Sequence, residues 1–201
     1  MKILSMDTSS DVLSVAVFDG ARKLAVYESN GPVRHSEILA VSLRKILQKA
    51  KLDIKQIDCV AVGIGPGSFA GLRVGVTTAK MLSYGLKTKL VGVSSLEARA
   101  RSREDEGTFA VIVDAKKAQV YAAIYQKKGN RWKTIKKPRL VLREIFLRSL
   151  KPGIRLVDSA FPGARAVAEA ALDRIAAKKF DDPFTFEPVY IHPKDCNVSR
   201  K

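Results

Sequence analysis

Residues 3–18, Ile3-Leu4-Ser5-Met6-Asp7-Thr8-Ser9-Ser10-Asp11-Val12-Leu13-Ser14-Val15-Ala16-Val17-Phe18, begin as an apolar run that ends on a carboxylate. A polar turn follows, and the chain returns as an alternating strand. The same plan recurs later. With Asp114 placed under Asp7, Ala110-Val111-Ile112-Val113-Asp114 falls beneath Ile3–Asp7, and Val120-Tyr121-Ala122-Ala123-Ile124-Tyr125 falls beneath Leu13–Phe18. Few positions are identical, so the shared order of run, acid, turn and hairpin carries the inference of a duplication. A chance likeness between two hairpins is the competing reading.

Working outward, 2–7, 12–18 and 22–28 read as three strands joined by the turn-rich Thr8-Ser9-Ser10-Asp11 and Asp19-Gly20-Ala21-Arg22. Asn30-Gly31-Pro32 is a breaker. From Ser36, the expected cap, Leu39, Leu43, Ile46, Leu47 and Ala50 mark one face of a helix. Ile57 to Gly63 reads as a strand buried on both faces. A second helix over about 69–85, a strand at Leu90–Val93 and a third helix capped by Ser94 or Ser95 complete the first half. The second half continues with a strand near 131–136, a helix around 142–150, a strand at Ile154–Val157 and an Ala-rich helix near 163–177. Two β-β-β-α-β-α units are the plan of the RNase H-like, actin-like and sugar-kinase-like (ASKHA) superfold. The expectation is therefore an α/β protein with a duplicated actin-like fold in two small subdomains, 1–103 and 104–201, the second truncated.

In the 201 residues, 46% are hydrophobic and 28% charged, enough for a core and a wetted surface. No stretch approaches the roughly 20 apolar residues of a membrane span, and Met1–Asp7 reaches an acid too soon for a secretory segment. Cys59 and Cys196 offer neither metal spacing nor a disulfide framework. A cytoplasmic location is expected. The formal charge is +16, from 36 Lys and Arg against 20 Asp and Glu. Lys127, Lys128, Arg131, Lys133, Lys136, Lys137, Arg139, Arg143 and Arg148 face the single acid Glu144 over residues 127–148. Such a field attracts phosphates or an acidic partner, or it is simply the solvated surface of a basic protein. On the first reading, Lys127, Lys128, Arg131, Lys133, Lys136 and Lys137 are the candidate RNA-phosphate contacts.

Gly63-Ile64-Gly65-Pro66-Gly67-Ser68-Phe69-Ala70-Gly71-Leu72-Arg73-Val74-Gly75 joins a strand to a helix and is a structural turn or an anion loop. It lacks the Lys-Ser/Thr of a Walker loop, the last glycine of G-x-G-x-x-G and the frame of a nucleophile elbow. Gly71, Gly75, Ala79 and Ser83 then recur every fourth residue as a stripe without bulk. Helical glycine costs roughly 0.5–1 kcal/mol relative to alanine, so a close approach is expected to compensate. The reading is a packing seam against the first helix on one side and another subunit on the other.

His35 and His192 form no ligand pair, paired acid–base carboxylates are absent, and neither a metal nor a catalytic group is expected. Asp7, Thr8 and Ser9 end the first strand, where a carboxylate and hydroxyls could hold a hydrated metal and phosphate. The duplicate Asp114-Ala115-Lys116 lacks the hydroxyls of a second loop. Half a clamp allows weak Mg-nucleotide binding at most, and Asp7 as a turn cap is the alternative.

Four segments together resemble the TsaB (YeaZ) family: Ile3–Ser9, His35-Ser36-Glu37-Ile38-Leu39, Gly65–Arg73, and Val91-Gly92-Val93-Ser94-Ser95-Leu96. The likeness covers residues 1–97 and continues loosely through Val111–Lys116 and Glu187-Pro188-Val189-Tyr190. Ala70 stands where the family usually has Thr, which removes a hydroxyl. The resemblance implies a subunit without its own active site. It would heterodimerise through its first two helices with the metal-bearing paralogue TsaD, which adds the threonylcarbamoyl group to adenosine next to the tRNA anticodon. It also implies a TsaE-like ATPase in the assembly, tRNA met through the complex, and a homodimer when alone. The interface expected from the stripe and the resemblance comprises His35, Leu39, Gly67, Ser68, Gly71, Leu72, Gly75, Ala79 and Leu82. The rival readings are a small ATP-binding phosphotransferase or ATPase of the same fold, resting on Asp7–Ser9, and an RNA-binding module resting on 127–148.

Overall fold

The computed structural model describes residues 1–30, 32–158 and 160–191. Gly31 of the breaker, His192 and Cys196 lie outside the described residues. The first unit runs β1 (Lys2–Asp7), β2 (Ser14–Asp19), β3 (Arg22–Glu28), α1 (His35–Lys49), β4 (Cys59–Gly63), α2 (Phe69–Leu86), β5 (Lys89–Val93) and α3 (Ser95–Arg101). The second runs β6 (Gly107–Asp114), β7 (Gln119–Lys128), β8 (Arg131–Leu142), α4 (Arg143–Arg148), β9 (Ile154–Val157) and α5 (Ala164–Ala176). The sheets are ordered β3-β2-β1-β4-β5 and β8-β7-β6-β9. In both, an antiparallel hairpin pair precedes a parallel partner of the first strand. This is the duplicated actin-like fold with a shortened second copy: one strand fewer, and a six-residue helix where the first copy has fifteen.

Alternation along β1 and β2 splits their side chains between two cores. Leu4, Met6, Val15 and Val17 meet Leu39, Leu43, Ile46 and Leu47 of α1 and Val76 and Ala79 of α2. Ile3, Ala16, Phe18, Cys59 and Ala61 face the other way, onto Ala98 of α3 and Ala164–Ala171 of α5. Burial of this kind stabilises by about 1.5–3 kcal/mol per large side chain. The alanines let α5 lie close to the first sheet, although it follows the second in sequence. Ser5 Oγ donates to Ala164 O at 2.8 Å, and Ser14 Oγ accepts from Ala164 N at 2.7 Å, so both buried hydroxyls are satisfied at the start of that helix. The chain after α5 then runs back beside β5: Asp181 N donates to Leu90 O, and Gly92 N to the Asp181 carboxylate. That covers a strand edge that would otherwise stay open.

Two local readings are corrected and one element is added. The first helix begins at His35 with Arg34 as its cap residue and no side-chain cap, so Ser36 lies inside it. β8 extends to Leu142 rather than stopping near 136, because β7 offers a pairing edge as far as Gln119. A single 3-10 turn over Ile54–Gln56, closed by a reciprocal Asp53–Gln56 capping box, carried no apolar period to betray it.

Candidate functional site

The glycines at four-residue spacing face inward. A Cβ on Gly63 would meet Asp7 Oδ2 at 1.7 Å, on Gly67 Ser9 O at 2.2 Å, on Gly71 Thr8 O at 2.0 Å and on Gly75 Thr8 Oγ1 at 2.2 Å. The β1–β2 turn lies in the notch they leave. There Thr8 Oγ1 donates to Gly71 O at 2.7 Å, and Ser68 N donates to Ser9 O at 2.8 Å. His35 closes the notch, its Nε2 2.6 Å from Ser10 O and its ring against Gly71. Ser68 Oγ accepts from Gly71 N and caps α2.

These contacts correct the expected interface. His35, Gly71, Leu72, Gly75 and Ala79 are buried within their own molecule, because the small stripe accommodates the turn after β1 and not a second protein, whereas Leu39, also buried, lines the floor of an open groove. Of the named residues, Ser68 is exposed, and Gly67 and Leu82 are half-buried. Accessible apolar surface starts on the adjoining row of α2, at Val74, Thr78 and Leu82. An open groove of about 490 Å³ runs between α1 and α2, lined by Leu43, Leu47, Leu52, Val74, Thr78 and Leu82 among others. Outside it, Val41 is 51% exposed, Phe69 52%, Met81 63% and Tyr84 57%. Phe69 packs on Tyr190 and Tyr84 on Phe184, so the returning tail extends the apolar face. Nothing in the four-residue period separated the inward stripe from this outward one.

Two of the four half-clamp residues, Asp7 and Thr8, are engaged within the chain itself. Thr8 is buried with its hydroxyl spent on Gly71. Asp7 is fully buried, with Oδ1 accepting from Ser9 N at 2.7 Å and Oδ2 from Ser95 Oγ at 3.0 Å. Burial raises its pKa, against the lowering effect of the Ser9 and Ser95 hydrogen bonds and the Arg99 charge. A carboxylate so enclosed is not placed to hold a hydrated metal. Asp114 is exposed, and the bond from Lys116 N at 3.1 Å keeps its pKa low. Asp114 and Ser9 do share a cleft between the two sheets, about 500 Å³, with Asp11, Ser68, Arg99, Lys116 and Tyr121 in its walls. Arg99 was not singled out from sequence, although it is a buried charge set between the buried Ala98 and Ala100.

The basic residues lie on the β7–β8 hairpin. Lys133 pairs across to Gln126, Lys136 to Ile124 and Arg139 to Ala122. Register shifts between these pairs keep residues three apart on one face. Lys128, Arg131, Lys133, Lys136 and Lys137 are exposed, and among the described residues none is in an ion pair. Lys127 instead donates to Glu104 O beside Trp132. Cys59 is buried, and burial pushes its thiol up to about 12, so it is inert.

A family model described as TsaD: tRNA N6-adenosine threonylcarbamoyltransferase matches residues 32–186. The chain belongs to the TsaD family. Within the TsaD family it is of the TsaB (YeaZ) type. It is 32% identical over 152 residues to the tRNA threonylcarbamoyladenosine biosynthesis protein TsaB of Bacillus subtilis, covering 75% of this chain and 66% of that one. Against TsaB of Escherichia coli it is 32% identical over 133 residues, covering 65% and 57%. The matched stretch thus spans about three-fifths of these relatives' lengths. The solved structure of YeaZ from Pseudomonas aeruginosa superposes with a TM-score of 0.85 at 22% identity over 94% of this chain and 99% of that one, which shows a common fold. No described helix is long and apolar enough to cross a membrane.

Proposed function

We propose that this chain is a cytoplasmic, non-catalytic scaffold subunit in the formation of threonylcarbamoyladenosine on tRNA. It pairs with a TsaD-type catalytic subunit through the outward side of α1 and α2. The observation that carries this reading is the open groove between those helices, together with the large apolar side chains that α1 and α2 leave exposed elsewhere on their surfaces. A monomer does not gain from exposing Phe69, Met81 and Tyr84 together, whereas a docked helix pair would bury them. Support comes also from the curated TsaB relatives. Among the described residues, no three of His, Cys, Asp and Glu stand close enough to hold a metal. In the same reading a TsaE-like ATPase joins the pair, a second copy of the chain covers the groove when the partner is absent, and the β8 cations meet tRNA phosphates.

The test is co-expression with the TsaD-type protein of the same genome, followed by sizing chromatography. Leu82→Arg places a charge in the groove without touching the Thr8 notch. It should leave the isolated chain folded and weaken association at least about tenfold, the scale of one lost hot-spot contact. Undiminished complex formation by both Leu82→Arg and Val74→Glu would overturn the interface.

A further inference from the structure

We infer, resting on the proposed tRNA contact of the β8 cations, that this edge of the smaller sheet is a site for double-stranded RNA, meeting the backbone of a stem and no bases. Directly paired residues of neighbouring strands point to the same face of a sheet. The pairs Lys128–Arg131, Gln126–Lys133, Ile124–Lys136 and Ala122–Arg139 therefore set four β8 cations on one face, with Lys128 beside them. It is the face that buries Ala110, Ile112, Val120, Ala122 and Ile124. In both units the helix after the third strand packs on this face. The first unit adds α2 there, so fifteen- and eighteen-residue helices cover its sheet. In the second unit α5 is seated on the other sheet, and the six-residue α4 is left. It sits where β8 ends, with Arg143 N bonded to Ala118 O. Towards the hairpin tip, the apolar floor is left to the stems of Lys and Arg, whose charged ends reach water.

Nothing neutralises the row. Asp114 is the one acid in the four strands, at the end away from the hairpin tip and paired with Lys116 at 3.2 Å. Beside α4, Glu144 and Asp158 are engaged by Arg148 and Arg143, and Glu106 holds the hairpin tip by accepting from Gly129 N at 3.0 Å. The company the cations keep decides the ligand class. Single strands are held by bases stacked on aromatic rings. Phe109, Tyr121, Tyr125 and Trp132 belong to the opposite core, and Phe146, on the cation face, is buried. A docked protein needs apolar anchors among its contacts. Ile135 is the one large apolar side chain exposed within 131–139, and Leu142 and Ile145 lie beyond the row. A stem needs neither kind of anchor, because it is recognised through its shape and phosphates. No strand lies outside β8, so a rod can approach that edge from the side.

Fluorescence anisotropy on the full chain at about 50 mM salt tests this, with an RNA duplex of about 16 base pairs and a uridine oligomer of the same length. The duplex should bind at least about fivefold more tightly, since the oligomer has a lower charge density and finds no rings to stack on. Changing Lys133, Lys136 and Arg139 together to Gln should weaken the duplex about tenfold or more. Changing Lys45, Lys49 and Lys55 to Gln removes the same charge elsewhere and should cost about twofold or less. Equal losses from the two triple variants would remove the site. Equal or tighter binding of the uridine oligomer would overturn the stem while leaving the cations an RNA role. Binding of neither RNA would overturn the inference together with the tRNA contact on which it rests. Polyglutamate that displaces the duplex as well as unlabelled duplex does, at matched charge, would assign the face to an acidic protein instead.

Discussion

Thr8 and Asp7 are where single atoms decide behaviour. Helix propensity says Gly75→Ala should stabilise α2 by roughly 0.5–1 kcal/mol. The Thr8 hydroxyl, 2.2 Å from the added carbon, says the opposite. We expect a net loss of about 1–3 kcal/mol in denaturant unfolding, the usual cost of overpacking. A more stable Gly75→Ala protein would mean that the notch is slack. For Asp7, burial raises the native pKa above its ordinary value, so the folded state holds a proton that the unfolded chain releases above roughly pH 4. Stability contributed by this group therefore falls as pH rises through the native pKa. Asp7→Asn should accordingly be more stable than the parent at pH 8, and the difference should shrink on acidification. A difference independent of pH would show that the charge is not the cost.

At the scale of elements, the helices were legible because their apolar residues repeat on one side, and β4 because it is apolar throughout. The Asp7–Asp114 register exposed the duplication for the same reason: strands paired in one sheet must alternate in step. What periodicity could not convey is which neighbour a face meets. α2 has two sides poor in charge, and sequence spacing favoured the glycine side for a partner. Thr8 occupies that side, and the adjoining row of Val74, Thr78 and Leu82 lines the open groove. Arg99 escaped notice because an arginine in a short helix that also holds Glu97 and Arg101 reads as a surface residue until the cores on both sides of α3 are seen. The length of β8 depended on β7, a contact no local pattern encodes.

For the molecule as a whole, the +16 charge is concentrated where the smaller sheet ends in an edge strand. If Lys133, Lys136 and Arg139 each meet a phosphate, replacing one by Ser should reduce the log–log salt slope of tRNA binding by about 0.9, without altering preference among tRNAs. Filter binding between about 50 and 200 mM salt reads this directly, and an unchanged slope would assign the cations to solvation alone. The seating of α5 on the first sheet also matters for biosynthesis. Ser5 and Ala164 are bonded partners 159 positions apart. A ribosome therefore releases the opening strands with the Ile3, Ala16 and Ala61 side still bare, and that side stays unshielded until nearly the last helix has been translated. Nascent chains stalled before residue 164 should consequently be chaperone clients, and severed halves should be soluble only when produced together.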